Sequence, residues 1–237
     1  MISFMRRIFD SYIVPFLFVM VGTLLSLFVL DVVSYCEKHP EALGSKAEKW
    51  TLSPYDDVFK EVGWQYDVDW VLLSAIASAE SEFNPNAISR VGAVGIMQVM
   101  PVVAKNMGYE RDSLFDPRVC AEVAAILLHE NNDMLSLSQS VDRNDRLSFI
   151  LACYNAGYSR ISDARRLARY HEEDANKWSV VEEYLALLAE PEFAEHEVVR
   201  SGAFHGSAET RAYVKRVMRR YNRYIHKLKN ATSIDTH

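Results

Sequence analysis

Cysteine is scarce in this chain, and the three present (Cys36, Cys120 and Cys153) lack the paired spacing that zinc ligands use. None of the seven histidines forms a His-Glu-x-x-His or comparable pattern, so no metal site and no cofactor are expected. In an exported protein an odd cysteine count leaves at least one thiol free. A Cys120–Cys153 bridge does not follow from the spacing, and two buried small hydrophobes is the preferred expectation. Positive charge is also short. The formal net charge of -6 argues against a general nucleic-acid binder. Convincing alternating strands, internal repeats and low-complexity tracts are all missing. What remains is a chain with globular values, 49% hydrophobic and 24% charged, long enough for one large domain or two small ones.

Charge is missing altogether from Ser11 to Leu30, where Phe, Leu, Val, Ile and Met dominate. A bilayer-spanning helix needs roughly 20 such residues. Arg6 and Arg7 precede the run, which predicts a cytoplasmic N-terminus (1–10) and a transmembrane anchor over 11–33. The run is longer than the apolar core of a cleaved signal peptide. This topology puts everything beyond Asp31 outside the cytoplasm, in the periplasm and tied to the inner membrane. Residues 34–53 mix Glu, Lys, His, Pro, Gly and Ser without periodicity and read as a tether. An ordered domain is expected over 54–230, with a flexible tail at 231–237.

Within that domain the apolar spacing is helical throughout, which predicts an all-α fold. Helices are expected over Asp56–Tyr66, from a cap at Asp69 onward, Pro101–Met107, Pro117–Asn131, Arg146–Asn155, Ile161–Tyr170, Val180–Leu188 and about Glu209–Lys229. Acidic residues crowd Glu172–Glu197, whereas Arg211–Lys229 is basic.

Leu73, Ile76 and Glu80 lie at i, i+3 and i+7, so the Glu80 carboxyl shares an apolar stripe. Desolvation there disfavours the charged form and raises the pKa, as a general acid for glycoside cleavage requires. The residue before Pro85 is pushed out of the helical region, so Glu80 falls in the last turn, near the rim of the core. By spacing alone, a Glu paired with an Arg or a backbone amide at a helix end is equally consistent. Gly92 and Gly95 allow positive φ or close approach to a ligand. Gln98 is the one polar side chain among Ile96, Met97, Val99 and Met100. Tyr154 and Asn155 end a helix before Gly157, and Glu209 opens the last one. Cations from Arg211 to Lys229 oppose an apolar stripe of Val214, Val217, Tyr221, Ile225 and Leu228. A solvated face accounts for them, and contact with an anionic wall polymer or lipid headgroups is the alternative.

Four segments in order carry a resemblance. They are Glu80-Ser81-x-Phe83-Asn84-Pro85, Ser89-x-x-Gly92-Ala93-x-Gly95-Ile96-Met97-Gln98-x-Met100-Pro101, Tyr154-Asn155-Ala156-Gly157 and Glu209-Thr210-x-x-Tyr213-Val214. Together they resemble the soluble-lytic-transglycosylase-type catalytic domain over roughly Tyr55 to Lys229. Within that group they are most similar to the catalytic part of membrane-bound lytic transglycosylase F. The resemblance implies a lysozyme-like fold whose partner is the peptidoglycan glycan strand. It implies lyase cleavage of the β-1,4 bond between N-acetylmuramic acid and N-acetylglucosamine, leaving 1,6-anhydromuramic ends. Glu80 would be the only acid/base. Ser81, Ser89, Gln98, Met100, Tyr154 and Asn155 would line the groove, with Glu209 and Tyr213 shaping it. Cys153 departs from the Ser or Ala that commonly precedes Tyr154. A hydrolytic muramidase of goose-lysozyme type and a non-catalytic wall-binding scaffold stay open as alternatives.

Overall fold

The computed structural model describes residues 51–234 of the chain, and side chains up to residue 231. The expected cytoplasmic segment, anchor and most of the tether lie outside the described residues. Among the described residues no helix is long and apolar enough to cross a membrane. They are helical, with two isolated bridges (Ile88 to Val94, Val94 to Val99) as the only extended pairing among them.

The chain runs through α1 (Asp56–Tyr66), α2 (Trp70–Ser81), α3 (Pro101–Asn106), a 3-10 turn (Arg111–Phe115), α4 (Pro117–Leu135), α5 (Arg143–Ala156), α6 (Tyr158–Tyr170), α7 (Trp178–Leu187), α8 (Pro191–Ala194) and α9 (Ser207–Ile234). The starts of three helices follow directly from acidic caps. Asp69 accepts from Val71 N at 2.9 Å, Asp116 from Arg118 N at 2.8 Å and Asp142 from Asn144 N at 2.7 Å. Each satisfies an amide that has no partner within the helix. The last helix runs on to Ile234, five residues past Lys229. The 3-10 turn and α8 are single turns, too short for a periodic signal.

Helix α9 packs along α2 and α5, while α1 lies against α2 and α4. Asp69 ties this arrangement at one end, accepting from the Tyr221 hydroxyl at 2.6 Å and from Arg143 at 2.8 Å. Since Tyr221 meets the start of α2, the start of α9 meets the end of α2, where Glu80 lies. The core runs through Phe59, Leu73, Ile76, Ile96, Met97, Phe149, Leu151, Ile161 and Leu185, all fully buried. Cys120 and Cys153 are free and buried, as small hydrophobes would be.

Helix α6 holds the segment between α7 and α9 through one buried carboxylate and through Arg160 and Arg166, which donate to the carbonyls of Ser201, Gly202 and Val198. Asp163 of α6 accepts from the amides of Arg200 and Ser201, each at 2.9 Å, and from the Arg166 guanidinium. Burial opposes its charge, but those donors outweigh it and hold the carboxyl below its ordinary range. An Asp163→Asn change is expected to cost about 2–3 kcal/mol in urea unfolding at neutral pH, because buried donors lose an ionised acceptor. A group with a lowered folded pKa stabilises above its unfolded pKa and stops doing so as pH falls through the folded value. The gap between wild type and variant therefore closes in acid.

Candidate active site

Glu80 occupies the last turn of α2, half-buried, immediately before a reversal of the chain. Glu82 and Phe83 take positive φ values of 53° and 65°, so the helix ends abruptly and the backbone turns away. That break leaves the Glu80 carboxyl at the rim of the core. Burial is the largest influence on it, and raises its pKa from 4.5 to about 7. Tyr213 and Arg216 act in the opposite direction, and Glu209 adds a small upward push. The carboxyl is thus half-protonated near neutral pH.

The raised pKa has a consequence for stability. The folded form holds the proton more tightly than the unfolded chain, so an ionised Glu80 opposes folding. That penalty is absent below pH 4.5, grows as pH rises to about 7, and is constant above it. Glu80→Gln removes the charge at nearly the same shape. Thermal or urea unfolding should find the variant equal to wild type at pH 4. At pH 8 it should be more stable by about 2 kcal/mol, allowing for partial exposure of the carboxyl.

Two tyrosines face this group. The Tyr213 hydroxyl is buried beside Glu80, and no aligned hydrogen-bond partner reaches it. Burial and the neighbouring Glu80 charge push its proton affinity well above the ordinary value, so it stays a neutral donor. Tyr154, from the end of α5, donates to the Met97 carbonyl at 2.8 Å. Burial and then Glu80 likewise keep it protonated. Helices α2, α5 and α9 therefore converge on one acid.

The segment from Glu82 to Met100 has no long ladder, so its backbone groups are satisfied piecemeal. Val94 and Val99 exchange two bonds at 2.9 and 3.0 Å, and Gly95 N donates to Ala87 O at 2.9 Å. Gly92, Gly95 and Gln98 take positive φ of 88°, 78° and 50°. The Ser81 hydroxyl donates to Ile96 O at 2.8 Å, tying the end of α2 to this loop. Ser89 Oγ accepts from Ala93 N at 2.9 Å, and the Gln98 amide donates to Gly95 O at 2.9 Å and Ala87 O at 3.2 Å. Four of the eight expected groove residues (Ser81, Ser89, Gln98, Tyr154) thus spend polar atoms on the loop itself. Met100, Asn155 and Glu209 are exposed, and the Tyr213 hydroxyl is unpartnered.

Gln98, Met100 and Tyr154 come together in one cavity of about 270 Å³, walled by Val103, Leu127, Met134 and Gly157 among others. Two contributors escaped sequence reasoning. Cys120 of α4 sits under the loop, where its sulfur accepts from Met97 N at 3.4 Å and donates to Val94 O at 3.7 Å. Burial pushes that thiol up to about 11, so it remains a donor. Arg216 places its guanidinium carbon 5.4 Å from the Tyr213 ring centre and acts electrostatically on Glu80. The i+3 spacing from Tyr213 was the only available hint of it.

Residues 57–178 match the family model described as the transglycosylase SLT domain. Among curated relatives, the membrane-bound lytic murein transglycosylase F of Shewanella loihica is 35% identical over 175 residues, covering 73% of this chain and 35% of the relative. The protein of the same name from Marinobacter nauticus is 32% identical over 171 residues, covering 72% and 33%. The chain thus spans about a third of the length of these relatives. In fold, it is similar to the 70 kDa soluble lytic transglycosylase of Escherichia coli, with a TM-score of 0.51 and 24% identity over 76% of this chain and 25% of that one.

Proposed function

This chain belongs to the transglycosylase SLT domain family, and from that premise we propose that it is a peptidoglycan lytic transglycosylase. The reaction is cleavage of the β-1,4 bond between N-acetylmuramic acid and N-acetylglucosamine, without water, to leave a 1,6-anhydromuramic end. The observation that carries this proposal is the environment of Glu80: one half-buried carboxyl that still holds a proton near pH 7, at a rim where three helices meet. Such an acid can give its proton to the leaving glycosidic oxygen. Once ionised, it can take the proton of the muramyl C6 hydroxyl as that oxygen closes on C1. The substrate's own N-acetyl group stabilises the intermediate.

A retaining hydrolase would use a second carboxylate about 5–5.5 Å away as nucleophile. Glu209 is the carboxylate that acts on Glu80, and it is exposed, with the smallest influence of the three neighbouring residues. Tyr213, whose hydroxyl has no partner, is placed to donate to Glu80 when it is ionised. Met100, Asn155 and Glu209 offer exposed groups to the glycan. Ser81, Ser89, Gln98 and Tyr154 act chiefly by holding the loop that forms the groove floor, with Gln98 and Tyr154 also facing the cavity. The uncharged run Ser11–Leu30 serves as an inner-membrane anchor with the catalytic domain in the periplasm. The relatives' designation as membrane-bound agrees with that placement.

Digestion of purified sacculi followed by mass spectrometry tests the reaction. The expected products carry 1,6-anhydro ends. Reducing ends alone would make the protein a hydrolytic muramidase, and binding without any cleavage would make it a scaffold.

A further inference from the structure

A row of four cations on α9 starts at the site, and the three beyond Arg216 are used by nothing described so far. Arg216, Arg220, Arg223 and Lys227 recur at steps of four, three and four residues, which places them on one flank of the helix. The row begins at the active site, because Arg216 lies against the Tyr213 ring and acts on Glu80. From there it extends roughly 16 Å along the helix axis. Arg216, Arg223 and Lys227 are exposed and Arg220 is half-buried.

Among the described residues, none of the four has a carboxylate within ion-pair distance. Arg211, on the other flank of α9, is paired with Glu182 at 3.2 Å, while Lys215 and Arg219 are exposed and, among the described residues, without an ion pair, so it is the alignment with Glu80 that sets the row apart. In a chain of net charge -6, four uncompensated cations in file leading out of a catalytic site create a local positive field. A solvated face needs no such alignment with the acid.

We infer that this row binds the carboxylates of peptide side chains borne by the glycan strand that Glu80 cleaves, so that the substrate is peptide-bearing peptidoglycan rather than stripped glycan. The inference rests on the proposed function and narrows its substrate. On an intact strand the muramyl lactyl carboxyl is tied up as an amide, so the sugars themselves supply little negative charge, whereas the wall peptides carry free carboxylates that guanidinium groups recognise by paired hydrogen bonds. A lipid surface fits less well. A helix lying on a bilayer presents an apolar face to it. The apolar stripe of α9 (Val214, Val217, Tyr221) is buried in the domain, and none of the exposed large hydrophobic residues is on this helix.

Binding measured without turnover separates this inference from the reaction itself. The full chain carrying Glu80→Gln, in mild detergent, is co-sedimented with purified sacculi and with strands stripped of peptides by an amidase and then amidated at the lactyl carboxylates so bared, at low and high salt. Sacculi are expected to bind about tenfold more tightly than stripped strands, with the advantage fading in salt. Adding Arg220→Gln, Arg223→Gln and Lys227→Gln should lower sacculus affinity to the stripped-strand level at an unchanged thermal midpoint. Equal binding before and after the triple change would overturn the inference. So would an equal loss on both polymers, or a loss confined to phosphatidylglycerol vesicles with sacculus binding kept. Wild-type sacculi left uncleaved, with peptide-dependent binding intact, would remove the enzymatic proposal and leave the row standing.

Discussion

Glu80→Gln is expected to lower the rate of anhydro-product release from sacculi by about a thousandfold or more. Positioned proton transfer contributes roughly 10²–10⁴ in rate, and in the proposed mechanism a single residue performs both the donation and the abstraction. Gln keeps the volume and one hydrogen-bonding oxygen but can do neither. The interpretation is protected by the stability result expected of the same variant. Since burial pushes Glu80 up to about 7, removing its charge relieves the fold above that pH. A variant that is inactive and also more stable at pH 8 has lost chemistry, not structure. Turnover within a few-fold of wild type would show that another group carries the proton.

The second large effect is on stability. Gly95→Ala should lower stability by about 4 kcal/mol, which for a domain of this size is about 8–16 °C in thermal midpoint. A Cβ built at Gly95 would lie 2.1 Å from the Leu114 carbonyl oxygen and 2.9 Å from the Cys120 sulfur. Neither can yield cheaply, because one is backbone and the other is buried and bonded to Met97 and Val94. The φ of 78° adds strain for any residue with a side chain. Gly92→Ala is the internal control. Its φ of 88° is just as unfavourable, but nothing lies within 4 Å of the added carbon. It should cost only about 1 kcal/mol, and circular-dichroism melts of the two variants separate conformational strain from close packing. Equal losses would mean that φ alone, not the approach to Leu114, makes glycine necessary at Gly95.

Most helices were legible because their signals are local. The acidic cap at Asp69 marks one start and apolar spacing marks the buried faces, whereas the cap at Asp142 was missed and its helix starts at Arg143 rather than at the expected Arg146. Arg111–Phe115 and Pro191–Ala194 were not legible, since one turn carries no period. The site divides in the same way. Glu80 stands out by its stripe and its position before Pro85, but only the resemblance carried by the four segments singles it out as the acid. Ser81, Ser89 and Gln98 look, in sequence, like polar groups offered to a sugar. In the folded chain they bond the loop, because backbone without a ladder takes partners from nearby side chains. No local pattern announces which carbonyl will lack a partner.

Composition and order alone determined an all-helical domain, a carboxyl on an apolar stripe, and four motif segments in a sequence matching one family. These are short-range or linear properties, readable without knowing which helices touch. Only the tertiary structure decided that the carboxyl keeps its proton to about pH 7, because desolvation depends on α5, α9 and the loop closing around it. The packing of α9 along α2 likewise left Tyr213 unpartnered beside the acid and started a file of cations at Glu80, while α4 put Cys120 beneath the loop. Burial and field are sums over neighbours distant in the chain, and the chain's order does not list those neighbours.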